Sequence, residues 1–210
     1  MLKKYHDTFY EGNFYHIFNR GINNETIFKT DRNYHFFFQR WHKYVATFLD
    51  VYAYCLMPDH FHFFVKVKEN ALVTYSFTKP QRFGKAIHEE NINTILEYQF
   101  MLLFRSYAHA FNKENNRTGS LFQKSFKRIR VDNNRYFLAV IQYIHNNPIH
   151  HHYTNSFEKW QYSSYNAILS TQPTQIKRAE ILEWFGSKDE FIEFHLENIK
   201  YEKIKQYVIE

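Results

Sequence analysis

Aromatic, polar and aliphatic residues alternate over positions 14–19 and the run stops at Arg20-Gly21, which predicts a strand followed by a turn. Asp31 is placed to cap a helix reaching about Phe48, with Phe36, Phe37, Trp41, Tyr44, Val45 and Phe48 on its buried side. Positions 51–56 predict a second strand, broken by Met57-Pro58-Asp59, and positions 60–68 a third, rich in Phe and Val. So short a break implies a hairpin or a bulged bend. Residues 70–91 are mixed and specify no element. Ile95, Leu96, Phe100, Leu103, Tyr107 and Phe111 recur at helical spacing, predicting a helix over 92–112, and 113–120 is a polar loop. A fourth strand falls at about 126–131, and a helix opening at 132–135 is ended by Pro148. Beyond Tyr153 come an aromatic patch, Trp160-Gln161-Tyr162-Ser163-Ser164-Tyr165, and two further helical stretches.

The order strand, helix, strand, strand, helix, strand, helix is that of an α+β, ferredoxin-like protein. It predicts an antiparallel sheet with helices on one face, a further helix after the last strand and a helical C-terminal extension. The domain reading is residues 1–153 as the functional core and 154–210 as an extension packed on it. Many unrelated proteins share this order, so it constrains function little.

Composition adds two things. The chain holds 23 Phe and 17 Tyr in 210 residues. Most belong to a core, and some are candidates for stacking on bases. Lys and Arg outnumber Asp and Glu by 27 to 21, a net charge of +6 that suits a polyanion partner. Cys55 is the only cysteine, which excludes an intrachain disulfide and a cysteine-based zinc site and fits a reducing compartment. Met1-Leu2-Lys3-Lys4-Tyr5 lacks the apolar stretch of a secretory signal, and no run approaches the roughly 18 apolar residues of a membrane span. The expectation is a cytoplasmic protein with no membrane partner.

The sharpest local feature is Met57-Pro58-Asp59-His60-Phe61-His62-Phe63-Phe64-Val65. Strand side chains alternate, so His60 and His62 share one face while Phe61, Phe63 and Val65 point into the helix layer. Two neutral imidazoles at that spacing can hold one metal ion, or can be partly buried histidines satisfied by hydrogen bonds. Asp59 either orients a neighbour or caps the turn; on an extended strand it points away from His60, which favours the turn. His150-His151-His152 reads as a solvated, weakly basic loop rather than a second metal site, because consecutive residues do not converge easily on one ion.

The His-x-His strand in this setting resembles the HUH motif of single-tyrosine transposases. Asn19-Arg20-Gly21 with Ile27-Phe28, Gly119-Ser120-Leu121-Phe122-Gln123, Tyr143-Ile144-His145-Asn146-Asn147-Pro148 and the Trp-x-x-Ser-Ser-Tyr patch at 160–165 extend the resemblance, in order, over roughly residues 10–168. Within that group the chain is similar to the REP-associated tyrosine transposases. The resemblance implies a 5′-phosphotyrosine intermediate on single-stranded DNA with hairpin or repeat ends, a divalent metal ion (Mg²⁺ or Mn²⁺), and a nucleophilic tyrosine on the helix after the fourth strand. That group includes both monomers and homodimers.

The helix after the fourth strand offers Tyr136 and Tyr143, with Tyr153 just beyond it. In this family the nucleophile is followed four positions later by a polar residue, and Tyr143 with Asn147 fits, whereas Tyr136 is followed by Val140. Tyr143 and Asn147 share a helix face, and the Asn147 amide can offer an oxygen to a hard cation or to a water on it. His145 lies on another face and is expected to be exposed. The site reading is therefore His60, His62 and Asn147 for the metal and Tyr143 for the attack. Asn19, Arg20, Arg105, Arg117, Gln123, Lys124, Lys127, Arg128 and Arg130 are the DNA-binding candidates. In a regular strand Lys124, Phe126, Arg128 and Arg130 form one stripe, able to follow a phosphate backbone or to guard a solvated sheet edge. Two rival functions are a non-catalytic single-strand binding module that keeps the fold and a metal-dependent hydrolase using the histidine pair alone.

Overall fold

Alternation in the third strand divides the molecule into two layers. In the computed structural model, which describes residues 5–73, 91–133 and 136–197, strands β1 (Phe14–Arg20), β2 (Leu49–Leu56), β3 (His60–Val67) and β4 (Lys127–Val131) form one sheet in the order β2-β3-β1-β4. Every neighbouring pair is antiparallel. Helices α1 (Asp31–Tyr44) and α2 (Ile92–Glu114) cover one face. Helix α3 (Phe137–His150) and the extension, with α4 (Tyr165–Leu169), α5 (Arg178–Phe185) and α6 (Lys188–Leu196), cover the other. This is the ferredoxin-like α+β arrangement expected from the element order. Among the described residues no helix is long and apolar enough to cross a membrane.

The first layer buries Tyr15 and Ile17 of β1 and Phe61, Phe63, Val65 and Val67 of β3 against Phe37 and Trp41 of α1 and Phe100, Leu103 and Tyr107 of α2. The Trp41 and Phe63 rings stack with centroids 3.8 Å apart. Full burial of each such Phe contributes roughly 1.5–3 kcal/mol. The second layer sets Phe18, Phe64, Ile129 and Val131 against Phe137, Val140, Ile141 and Ile144 of α3 and against Phe157, Tyr165, Ile181 and Phe191 of the extension. A bulge between Val51 and Ala53 resets the alternation of β2, so that Tyr52, Ala53 and Cys55 join this second layer.

The aromatic patch fastens the extension to β2. The Tyr54 amide donates to Ser164 Oγ at 2.9 Å, the Ser164 amide to the Tyr54 carbonyl at 3.0 Å, and Trp160 Nε1 to the Leu56 carbonyl at 3.0 Å. At the same end of the sheet, a Cβ on Gly21 would lie 2.1 Å from the Glu25 carbonyl oxygen, so the turn after Arg20 admits only glycine.

Several expected boundaries differ. Thr30, not Asp31, caps α1: its side chain and that of Asn33 satisfy each other's backbone amides, and Asp31 instead accepts from the Tyr162 hydroxyl. Helix α1 stops at Tyr44, so Val45 and Phe48 reach the core from the turn. Strand β2 begins two residues earlier than the pattern suggested, and α2 runs on to Glu114. Pro148 does not end α3, which continues to His150. Proline sits in the last turn, where it forfeits one hydrogen bond, and the His151 amide still donates to the Asn147 carbonyl at 2.9 Å. Among its described residues the extension holds three helices rather than two, the added one being the five-residue α4. Residues 74–90, most of the stretch that specified no element, and 134–135, where the last core helix was expected to open, lie outside the described residues.

Candidate active site

His60 and His62 project from β3 toward α3, with ring centroids 5.2 Å apart and planes at 86°. Each has its Nδ1 engaged. His60 Nδ1 lies 2.7 Å from Asp59 Oδ1, and Arg20 donates to the other Asp59 oxygen at 3.2 Å. Burial alone would raise the Asp59 carboxyl, but the hydrogen bonds and charges of His60 and Arg20 outweigh it and hold the group at about 2. Asp59 therefore orients its neighbour, contrary to the turn reading. It precedes the first residue of β3, so strand alternation does not govern its direction. Its backbone carbonyl does serve the turn, accepting from the Gly21 amide at 2.8 Å.

His62 Nδ1 lies 3.0 Å from Nε2 of His16, on the adjacent strand β1. Burial foremost, then the neighbouring His16, His60 and His151 rings and Arg20, push His62 well below the ordinary histidine range, so its imidazole is neutral near pH 7. With both Nδ1 atoms occupied, Nε2 is the nitrogen each histidine has left for a ligand.

Tyr143 approaches from α3. It is 4% exposed, and its ring stands edge-on to His62 (5.6 Å, 85°) and to His16 (5.9 Å, 80°). One turn on, Asn147 Nδ2 donates to the Tyr143 carbonyl at 2.8 Å, which leaves its carbonyl oxygen for other partners. His60, His62, Tyr143 and Asn147 line one pocket of about 110 Å³, together with Asn19, Arg20, Gln123 and Lys127. Tyr136 sits at the N-cap of α3, packed against the second apolar layer.

The donor set suits a divalent cation held at an open site. Two imidazoles and an amide oxygen are ligands that leave other positions for water and phosphate oxygens. Among the described residues no group of three or more His, Cys, Asp or Glu converges, so the site is not a closed cage.

The expected DNA-binding residues divide. Asn19, Arg20, Gln123 and Lys127 reach the pocket. Lys124 and Arg105 instead line a neighbouring groove of about 540 Å³ with Met101, Phe104, Phe122 and Phe126, and this groove shares Asn19 and Gln123 with the pocket. Arg117 binds Glu25, Asn112 and Ser120 and so braces the polar loop. Arg128 is 5% exposed: its guanidinium pairs with Glu97, donates to the Asp7 carbonyl at 2.6 Å and lies over the Phe9 ring. It belongs to the α2 side of the sheet, where it lines the groove with Lys124 and Arg105. Arg130 is exposed on that same side. Lys124, Phe126 and Arg128 line one groove with Arg130 on the same side of the sheet, although Ser125 takes φ +61° and β4 begins only at Lys127, which lines the pocket.

Two other expectations change. His145 is buried, not exposed: its Nδ1 is 2.8 Å from His195 Nε2 and its Nε2 is 2.6 Å from Ser164 Oγ. The extension covers the helix face that the sequence left open. His150, His151 and His152 are exposed, as a solvated segment should be, but His150 closes α3, and His150 and His151 rim the pocket, with His151 5.0 Å from the His60 ring. The residue that the sequence reading missed is His16. Alternation in β1 put it on one face with Phe18, but only the register of β1 on β3 brings it to His62.

No family model matches the chain, and no curated protein matches it. Among solved structures, a REP-associated tyrosine transposase determined with a REP hairpin matches with a TM-score of 0.56, covering 80% of this chain and 86% of that one at 12% identity. In fold this chain is like the REP-associated tyrosine transposases.

Proposed function

We propose that this chain is a metal-dependent single-tyrosine DNA strand-transferase, which nicks and rejoins single-stranded DNA at hairpin-type ends through a 5′-phosphotyrosine. The observation that carries this reading is the meeting of Tyr143 and Asn147 from α3 with His60 and His62 from β3 in one pocket. The fold shared with a transposase bound to a REP hairpin supports a hairpin end as the substrate.

Arg20 and Lys127 at the pocket draw in the phosphodiester and hold it by charge, and the Asn19 and Gln123 amides are placed to bind its oxygens or the adjoining sugar. Tyr143 attacks phosphorus, the Tyr–O–P bond forms, and the bond to the 3′ oxygen breaks, so the 3′ end leaves as a hydroxyl. Bond energy is kept in the phosphotyrosine, and a second 3′-hydroxyl can reverse the attack and join strands. His60 and His62 through Nε2, with the Asn147 oxygen, would hold Mg²⁺ or Mn²⁺, which would draw charge from a nonbridging phosphate oxygen. The packing of Tyr143 against His62 of the same chain favours attack in cis by a monomer.

Incubating the protein with a hairpin-ended single strand and Mn²⁺ tests the reading. A denaturation-resistant protein–DNA adduct is expected from wild type and from Tyr136→Phe, and none from Tyr143→Phe. An adduct that survives in Tyr143→Phe would sink the assignment, and DNA binding that persists under chelation with no cleavage in any metal would favour a binding module.

A further inference from the structure

His16 and His62 form a buried imidazole pair, 0% and 4% exposed. In the register of β1 on β3, His62 faces Phe18 and His16 faces Phe64, so His16 reaches His62 diagonally to bring its Nε2 within 3.0 Å of Nδ1. Resting on the strand-transferase reading, we propose that His16 is a positioning residue: it fixes which nitrogen of His62 faces the pocket, and it links that ring to the attacking tyrosine.

A neutral imidazole has one donor nitrogen and one acceptor nitrogen. His62 can aim a lone pair at a metal from Nε2 only when its proton sits on Nδ1. That proton must then be donated to Nε2 of His16, which must be the acceptor, so the His16 proton sits on its own Nδ1. In the opposite arrangement His16 donates, and His62 turns an N–H toward the pocket, where no cation can bind it. One hydrogen bond thus selects between a competent and an incompetent site.

Neighbours hold the His16 ring in the required plane. It stacks on Phe18 at 4.8 Å and meets Tyr143 edge-on at 5.9 Å, so metal ligand and nucleophile rest against a common side chain. The two histidines of the pair are backed differently. His60 is backed by a carboxylate that Arg20 neutralises, whereas His62 is backed by a second imidazole. Neither backing leaves the pocket with uncompensated negative charge, which suits a site that must admit a phosphodiester.

The test measures Mn²⁺ binding by electron paramagnetic resonance, without DNA, in wild type, His16→Phe and His16→Gln. Phenylalanine keeps the ring contacts and removes the acceptor; the glutamine oxygen restores an acceptor. The expected result is Mn²⁺ affinity about 10–100-fold weaker in His16→Phe and largely recovered in His16→Gln, with melting temperatures near wild type. Affinity in His16→Phe within twofold of wild type overturns the proposal. Should His16→Phe not fold, the wild type itself decides: nitrogen-15 imidazole spectra should show the His62 proton on Nδ1, and a proton on Nε2 overturns the proposal. A wild type that binds Mn²⁺ with this tautomer yet forms no DNA adduct would refute the strand-transferase reading and leave the positioning role standing. A wild type that binds no Mn²⁺ overturns both.

Discussion

The side-chain amide of Asn147 donates to the backbone carbonyl of Tyr143, 2.8 Å away and one turn earlier on α3. The bond orients the amide of a residue that lines the pocket shared with His60 and His62. Asn147→Ala should lower adduct formation about 10–100-fold, with part of the loss recovered at high Mn²⁺. The check is adduct yield against metal concentration, and an unchanged metal dependence would remove Asn147 from the ligand set.

Asp59 ties the first histidine to the rim of the pocket. Asp59→Ala removes the acceptor on His60 Nδ1 and frees Arg20, and Mn²⁺ affinity should fall about 10–100-fold. Asp59→Asn keeps an oxygen for His60 and should lie between the two. Titration of Mn²⁺ into the three proteins measures this, and equal affinities would show that Asp59 serves only the turn.

Lys127 and Arg128 are adjacent in sequence and opposite in role. Lys127→Ala should weaken DNA binding and reduce the slope of log affinity against log salt by about one, with melting unchanged. Arg128→Met should leave that slope alone and destabilise the fold by about 1–3 kcal/mol, because it removes the bond to the Asp7 carbonyl and the ion pair with half-exposed Glu97. Salt-dependent binding and denaturant melts of both variants separate the two effects; a salt slope altered by Arg128→Met would return that residue to the DNA surface.

His195 sets an acid limit on stability. Burial lowers it from 6.5 to about 4, and its partner His145 is also pushed down, first by burial. The unfolded chain takes up a proton near pH 6.5 that the folded chain refuses until about pH 4. Stability is therefore full above pH 6.5 and declines as pH falls through that window, at about 1.4 kcal/mol per unit for one such group, or roughly 3 kcal/mol in all. Melting of the metal-free protein should already drop between pH 6.5 and 5, above the range where most carboxylates titrate. A flat profile there would contradict the buried neutral pair.

What the sequence disclosed was local. Strand alternation alone made His60 and His62 co-facial and sent Phe61 and Phe63 inward, and helical spacing alone set Asn147 beneath Tyr143. What it withheld was set by contacts between distant segments. Register between β1 and β3 brings His16 to His62; docking of the extension buries His145; and packing of α2 on β4 converts Arg128 from a surface charge into a core clamp. Asp59 was misjudged for a different reason, since a rule for extended strands was applied to the residue just outside one.

The link from His145 on α3 through His195 on α6 also imposes an order in time. Tyr143 lies two positions before His145 on a helix whose outer face is covered by segments made later in translation. A nascent chain that has presented its sheet and α3 has not yet presented Phe191 or His195, so the packing around the helix that carries Tyr143 is unfinished. On the strand-transferase reading, competence to cut would come only after those covering segments are made.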